Sequence, residues 1–193
     1  MNKFAFIAYD DFAIWQVALL QKFLKDKSWK METFSIDGSN VSTDGGIVIN
    51  VEKSIETEDP NEYDLILLPG GNVTSSLIEN QPLRTFLRCY KGNIAASCAS
   101  AVLLAASGLI NGKYTCMPQT NDQYSHLFRN GNYDGSDVCI YKNIITSKGP
   151  AHYGFMMAIL EKLELTKMDP NLEKIALNLS RNPRASDING SSI

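Results

Sequence analysis

The chain has 193 residues, 44% hydrophobic and 20% charged, an ordinary globular composition, and at this length a chain buries about 70% of its unfolded surface without a disulfide or metal staple. A net charge of −3 with scattered Lys and Arg argues against a nucleic-acid or anionic-membrane partner, and no apolar run approaches the roughly 18 residues of a membrane span. The cysteines, Cys89, Cys98, Cys116 and Cys139, form no CxxC and no Cys/His ligand spacing, so we expect four thiols, no metal and no cofactor. Met1 to Asp10 carries no h-region or cleavage site, and the expected location is the cytoplasm.

Phe4 to Tyr9 is an apolar run ending at Asp10-Asp11 and reads as a buried parallel strand. From Phe12 the period changes. Phe12, Trp15, Leu19 and Phe23 recur at helical spacing, so a helix is predicted from there, with Asp10 and Asp11 as its caps or, alternatively, at the edge of a pocket. Its wide apolar face predicts packing on the sheet and on something else. Met31 to Ile36 is a second strand, and Asp44-Gly45-Gly46 ahead of Ile47 to Val51 suggests a small hairpin. Asp64 to Leu68 is another buried strand, broken by Pro69-Gly70-Gly71, and a helix follows through Leu83, Phe86 and Leu87. Asn93 to Ser97 is a strand. Ala99 to Ser107 is helical, with Gly108 as C-cap. Val138 to Tyr141 and Asn143 to Ser147 give a turn and a final strand. Helices follow through Phe155, Ile159 and Leu163, and from Asp169-Pro170 through Leu172, Ile175 and Leu179.

Strands alternating with helices predict an α/β fold: a flavodoxin-like three-layer α/β/α sandwich with a mostly parallel central sheet. We read the whole chain, 1–193, as one domain with a core over about 3–164, a helical extension over about 165–181 and a polar tail over 182–193. In such sheets sites lie beyond the carboxyl ends of strands. Here those ends are Asp10-Asp11, Gly70-Gly71, Ser97-Cys98 and Lys148-Gly149-Pro150.

Ala96-Ser97-Cys98-Ala99-Ser100 is the strongest local signal. Small residues flank the cysteine between an apolar strand and an Ala-rich helix, the layout of a nucleophile elbow. The turn admits only small neighbours and puts the sulfur at a helix start, where dipole and N–H groups favour thiolate. The alternative, a small apolar core cysteine, leaves those flanks unexplained. N–H groups near Gly70-Gly71, with that of Ala99, suit an oxyanion, although a plain turn explains the glycine pair equally well.

Leu-Leu-Pro-Gly-Gly, the Ala-Ala-Ser-Cys-Ala elbow and Ile-Thr-Ser-Lys-Gly-Pro together resemble the ThiJ/PfpI superfamily, of the class I glutamine amidotransferase-like folds, over about residues 3–164. That superfamily includes the Parkinsonism-associated deglycase and the PfpI intracellular proteases. The resemblance implies Cys98 as nucleophile or oxidisable thiol. Where many members place a Glu on the first helix, hydrogen-bonded to the cysteine, this chain has Gln16, whose amide can donate to a thiolate but cannot shuttle a proton. Where PfpI-type proteases place a His after the cysteine, it has Ala99. Where other members place a His before a Pro, it has Met117 before Pro118.

Of the two histidines, His152, after Gly149-Pro150, is the better candidate for a base, against a surface residue at a helix start. His126 is expected at the surface or on a lid. Trp15, Met117, Gly70, Gly149 and Pro150 are expected to line the pocket, with core or dimer packing as the alternative for Trp15. Two functions compete. One is a cysteine-dependent hydrolase or lyase on small carbonyl or amide compounds, of glyoxalase, deglycase or amidase type. The other is a non-hydrolytic stress or redox sensor using reversible oxidation of Cys98, or a binding module without catalysis. Proteolysis has the least support. The expected partners are a small-molecule substrate or oxidant and a second copy of the chain.

Overall fold

The computed structural model describes residues 2–180. Strand β1 (Lys3–Ile7) pairs in parallel with β2 (Lys30–Ser35), and helix α1 (Ala18–Asp26) crosses between them. A hairpin of β3 (Val41–Ser42) and β4 (Val48–Ile49) precedes β5 (Lys53–Ser54), which adds to the free edge of β2. Then come β6 (Leu65–Leu68), α2 (Ser75–Glu79), α3 (Gln81–Cys89), β7 (Asn93–Ser97) and α4 (Ala101–Ala106). An excursion of β8 (Lys113–Tyr114), α5 (Pro118–Gln123) and β9 (Asn132–Tyr133) leads to β10 (Val138–Tyr141) and β11 (Ile144–Ser147). Helices α6 (His152–Lys162), α7 (Leu165–Met168) and α8 (Leu172–Ser180) follow.

The main sheet has seven strands in the order β10-β11-β7-β6-β1-β2-β5, parallel except where β10 meets β11. This is the expected flavodoxin-like sheet. Its inner strands are apolar because both faces are covered: Phe4, Phe6, Ile7 and Leu65 to Leu68 are at most 2% exposed. The chain runs from β1 outward to β2, then returns to β6 on the other side of β1. That reversal makes a crevice at the carboxyl ends of the strands. It brings Tyr9–Asp11, Pro69–Gly71, Cys98 and Lys148–Pro150 to one edge of the sheet.

The first helix starts later than its spacing predicts, at Ala18 rather than Phe12. Phe12 is extended and bridges both Thr43 and Gly71. Asp11 before it is at φ +60°, and a single 3-10 turn, Ile14–Gln16, follows. Tertiary bonding takes up the backbone a helix would have used: Asp11 N–H donates to Ser42 O at 2.8 Å and Ala13 N–H to Gly70 O at 2.8 Å. Neither aspartate caps a helix, a second correction. The cap position of α1 is Val17, with no side-chain bond. Asp10 instead accepts the Ser42 N–H at 2.9 Å and its hydroxyl at 3.3 Å, tying the end of β1 to the hairpin. The helix after the elbow is a 3-10 turn, Cys98–Ser100, running into α4, and Gly108 follows its end at φ +73°. The polar tail predicted over 182–193 lies outside the described residues.

The outer edge of the sheet holds a buried carboxylate. Glu32 on β2 accepts from Tyr63 at 2.5 Å and pairs with Lys30 at 2.5 Å and Lys53 at 3.2 Å. Burial alone would push this carboxyl up. The bonds from Lys30, Tyr63 and Lys53 outweigh that and hold it down at about 2. Among the described residues no helix is long and apolar enough to cross a membrane, and no group of three or more His, Cys, Asp or Glu could hold a metal.

Candidate functional site

β7 runs straight into Cys98, which sits at φ +55°. A non-glycine residue there carries strain of order 1–3 kcal/mol and is held only by its surroundings. Two glycines provide them. A Cβ on Gly70, after β6, would lie 2.6 Å from Cys98 Cβ and overlap Gln16 Oε1. A Cβ on Gly149, after β11, would lie 3.1 Å from both Cys98 Sγ and Gln16 Nε2. Only a missing side chain lets both backbones press this closely on the elbow. Cys98 is half-buried and unpaired.

Gln16 is 5% exposed. Its Oε1 accepts the Gly70 N–H at 3.1 Å and the Ser97 hydroxyl at 2.7 Å. A backbone N–H can only donate, so the oxygen must face Gly70, and the amide has one orientation. The NH2 end is therefore turned to the side where Gly149 and the Cys98 sulfur lie. No hydrogen bond joins Gln16 to Cys98 in this geometry, and Nε2 has no acceptor among the described residues.

Behind the cysteine, Tyr9 OH lies 2.8 Å from Pro69 O and 3.0 Å from Ser100 Oγ, and the Ser100 hydroxyl donates to Pro69 O as well. These bonds clamp the start of α4 to the end of β6. Burial raises the Tyr9 phenol far above its ordinary range, the Ser100 bond works against that, and charge on Cys98 adds to it. Tyr9 is thus a neutral clamp. Burial also pushes the Cys116 thiol up to about 12, with charge on Cys98 a smaller contribution.

The Gly70 N–H is spent on Gln16. Gly71, at φ +137°, backs onto Asp11 and Phe12 through the bridge bonds of Ala13 and Asn72. Among the described residues neither the Gly71 nor the Ala99 N–H meets an acceptor. His152 is exposed at the first position of α6 and stacks edge to face on Trp15, ring centroids 5.9 Å apart. Trp15 is 52% exposed and donates to Asp44 at 3.0 Å. This pair stands at the rim: Trp15 adjoins Gln16 in the chain and His152 follows Gly149 by three positions. Met117 is half-buried ahead of α5, while Pro150 and His126 are exposed. The sequence reading missed Tyr9, Ser97, Ser100 and Ser147. Each is a polar residue buried in a strand or turn, with no local spacing to mark its partner. A cavity of about 470 Å³ opens at the ends of β1 and β2, lined by Tyr9 but not by Cys98.

The DJ-1/PfpI family matches residues 2–162. Among curated relatives, the Caenorhabditis elegans glutathione-independent glyoxalase DJR-1.2 is 33% identical over 108 residues, 53% of this chain and 56% of that protein. The match thus spans little more than half the length of that relative. The Drosophila melanogaster protein dj-1beta is 31% identical over 136 residues, 65% of this chain and 70% of its own. Among solved structures, the DJ-1 superfamily protein Atu0886 from Agrobacterium tumefaciens superposes with a TM-score of 0.78 at 22% identity, over 94% of this chain and 100% of that one.

Proposed function

We propose that this chain, which belongs to the DJ-1/PfpI family, acts through Cys98 as a reactive thiol that attacks as its thiolate, and that its reaction is oxidation by peroxide. The observation that carries this reading is the fixed orientation of Gln16, which offers the pocket a donor and no base. The thiolate sulfur attacks a peroxide oxygen. The S–O bond forms as the O–O bond breaks, and hydroxide leaves and takes a proton from solvent. Sulfur is oxidised to the sulfenic acid and peroxide reduced to water; a second peroxide gives the sulfinate. Neither step needs a side chain that moves a proton. Gln16 Nε2, on the Gly149 side of the sulfur, and the N–H groups of Gly71 and Ala99, next in the chain to Gly70 and Cys98, are donors that suit the negative oxygens.

Carbonyl chemistry is the second reading, favoured by the glyoxalase relative and by the imidazole at the rim. Sulfur would add to an aldehyde carbon, but the following proton transfer needs a base, and His152, stacked on Trp15, is the candidate we assign. Peroxide titration with mass spectrometry, run beside methylglyoxal consumption, separates the two. We expect selective uptake of two oxygens at Cys98 and little turnover. Brisk turnover with no oxygen uptake would overturn the proposal.

We also propose a homodimer. What supports it is an exposed apolar stretch formed by Trp15, Ile47 and Val48, 52%, 57% and 68% exposed, on segments joined by the Trp15–Asp44 bond. Light scattering that found only monomer at micromolar concentration would count against it.

A further inference from the structure

The residue before the elbow cysteine is more than a small spacer. Ser97 is fully buried, as is Ser147, its register partner across β7 and β11. Ser147 Oγ donates to Ser97 Oγ at 3.3 Å, and Ser97 Oγ lies 2.7 Å from Gln16 Oε1. The proton directions in this chain follow from one fact. Gly70 N–H requires an acceptor at Oε1, so Ser97 must donate to that oxygen, and its lone pairs are left to accept from Ser147. The run therefore reads Ser147 to Ser97 to Gln16 and ends on Nε2, which has no acceptor among the described residues and lies on the Gly149 side, where Cys98 Sγ also lies. Bonds arranged head to tail polarise one another, and burial strengthens each of them.

We infer that Ser97 is a positioning residue: its hydroxyl, backed by Ser147, fixes the Gln16 amide so that only N–H faces Cys98, and so sets how readily the thiolate forms. This rests on the reading of Cys98 as a reactive anion and deepens it. Ser97 touches neither substrate nor sulfur in this role; it acts through Gln16. Without it, the Gly70 N–H still holds Oε1, but the amide is steadied by one bond rather than two.

The test is a double-mutant cycle on the full chain, reading the pH dependence of Cys98 alkylation by iodoacetamide and the ultraviolet absorbance of the thiolate. Ser97→Ala should slow alkylation at neutral pH by about three- to tenfold, the worth of one buried hydrogen bond, and shift the profile to higher pH. Gln16→Ala should do the same, and the double variant should be no slower than Gln16→Ala alone. Ser97→Thr, which keeps the hydroxyl, should restore the profile. A purely structural serine would lower Tm and leave the profile of the folded protein unmoved. If Gln16→Ala moves the profile and Ser97→Ala does not, or if their effects simply add, the positioning role is overturned while the thiolate reading stands. If Cys98 shows no preferential labelling in the unmodified protein, the reading itself fails and the inference with it.

Discussion

The Gly70 N–H donates to Gln16 Oε1 at 3.1 Å, and this one bond decides which end of the amide faces the cysteine. The glycines around it set a graded steric test. Gly149→Ala places a methyl 3.1 Å from both Cys98 Sγ and Gln16 Nε2, a distance that flexible neighbours can relieve. We expect a folded protein whose Cys98 alkylation slows by about tenfold, because the methyl fills the approach to the sulfur. Gly70→Ala places it 2.6 Å from Cys98 Cβ and on top of Oε1, and should unseat Gln16 and lower Tm as well. Unchanged labelling in Gly149→Ala would show that reagents reach the sulfur from another side.

Among the four thiols, Cys98 should react first. Burial raises Cys139 and pushes Cys116 up to about 12, so both are protonated and covered at neutral pH. Cys89 is exposed, at the far end of α3. Limited iodoacetamide labelling followed by peptide mass spectrometry should modify Cys98 ahead of Cys89 by about tenfold or more. Preferential modification of Cys89 would remove the elbow from its assigned role.

The sheet was legible in the sequence because buried parallel strands are written as continuous apolar runs. Leu65 to Leu68 and Asn93 to Ser97 lie where those runs and their breakers place them. The start of α1 was not. Phe12, Trp15 and Leu19 keep a helical period while occupying a bridge, a 3-10 turn and a helix. Bonds to Ser42, Gly70 and Asn72, far off in sequence, overrule the local pattern. At the site, the elbow and Gly70 announce themselves through residue size. The hydroxyl chain does not, since nothing in the spacing of Ser97 and Ser147 tells that they meet, and Gln16 reaches Ser97 across 81 positions.

Glu32 gives the fold an acid-sensitive edge. Its carboxyl is held at about 2 in the folded protein, against an ordinary value near 4.5. A depressed folded value means that the cluster's stabilisation is complete above the ordinary value and is lost as pH falls from about 4.5 towards 2. Urea midpoints measured across that window should fall for the unmodified chain. Glu32→Gln should start less stable at neutral pH, because Lys30 and Lys53 lose their counter-charge, and should show a shallower slope. Equal slopes would mean that other carboxylates dominate acid unfolding.

Replacing the amide at position 16 tests the choice between oxidation and carbonyl chemistry. Gln16→Glu keeps the shape of the side chain and its two bonds from Gly70 and Ser97, but its second oxygen can now accept or release a proton beside the sulfur. Such a group is typically worth about 10²–10⁴-fold in proton transfer. Methylglyoxal consumption should therefore be weak in the unmodified protein and rise in Gln16→Glu. It should be absent when Cys98→Ser is added, and insensitive to His152→Ala, because His152 is exposed at the rim and stacked on Trp15. The same carboxylate would set a negative charge against the thiolate and its oxidised forms, so peroxide uptake at Cys98 should slow as turnover rises. Brisk turnover in the unmodified chain, abolished by His152→Ala, would show the rim imidazole serving as the base and would make the carbonyl reading the correct one. A Gln16→Glu variant that gained no turnover and oxidised as fast as the unmodified chain would show that position 16 does not govern the chemistry of Cys98.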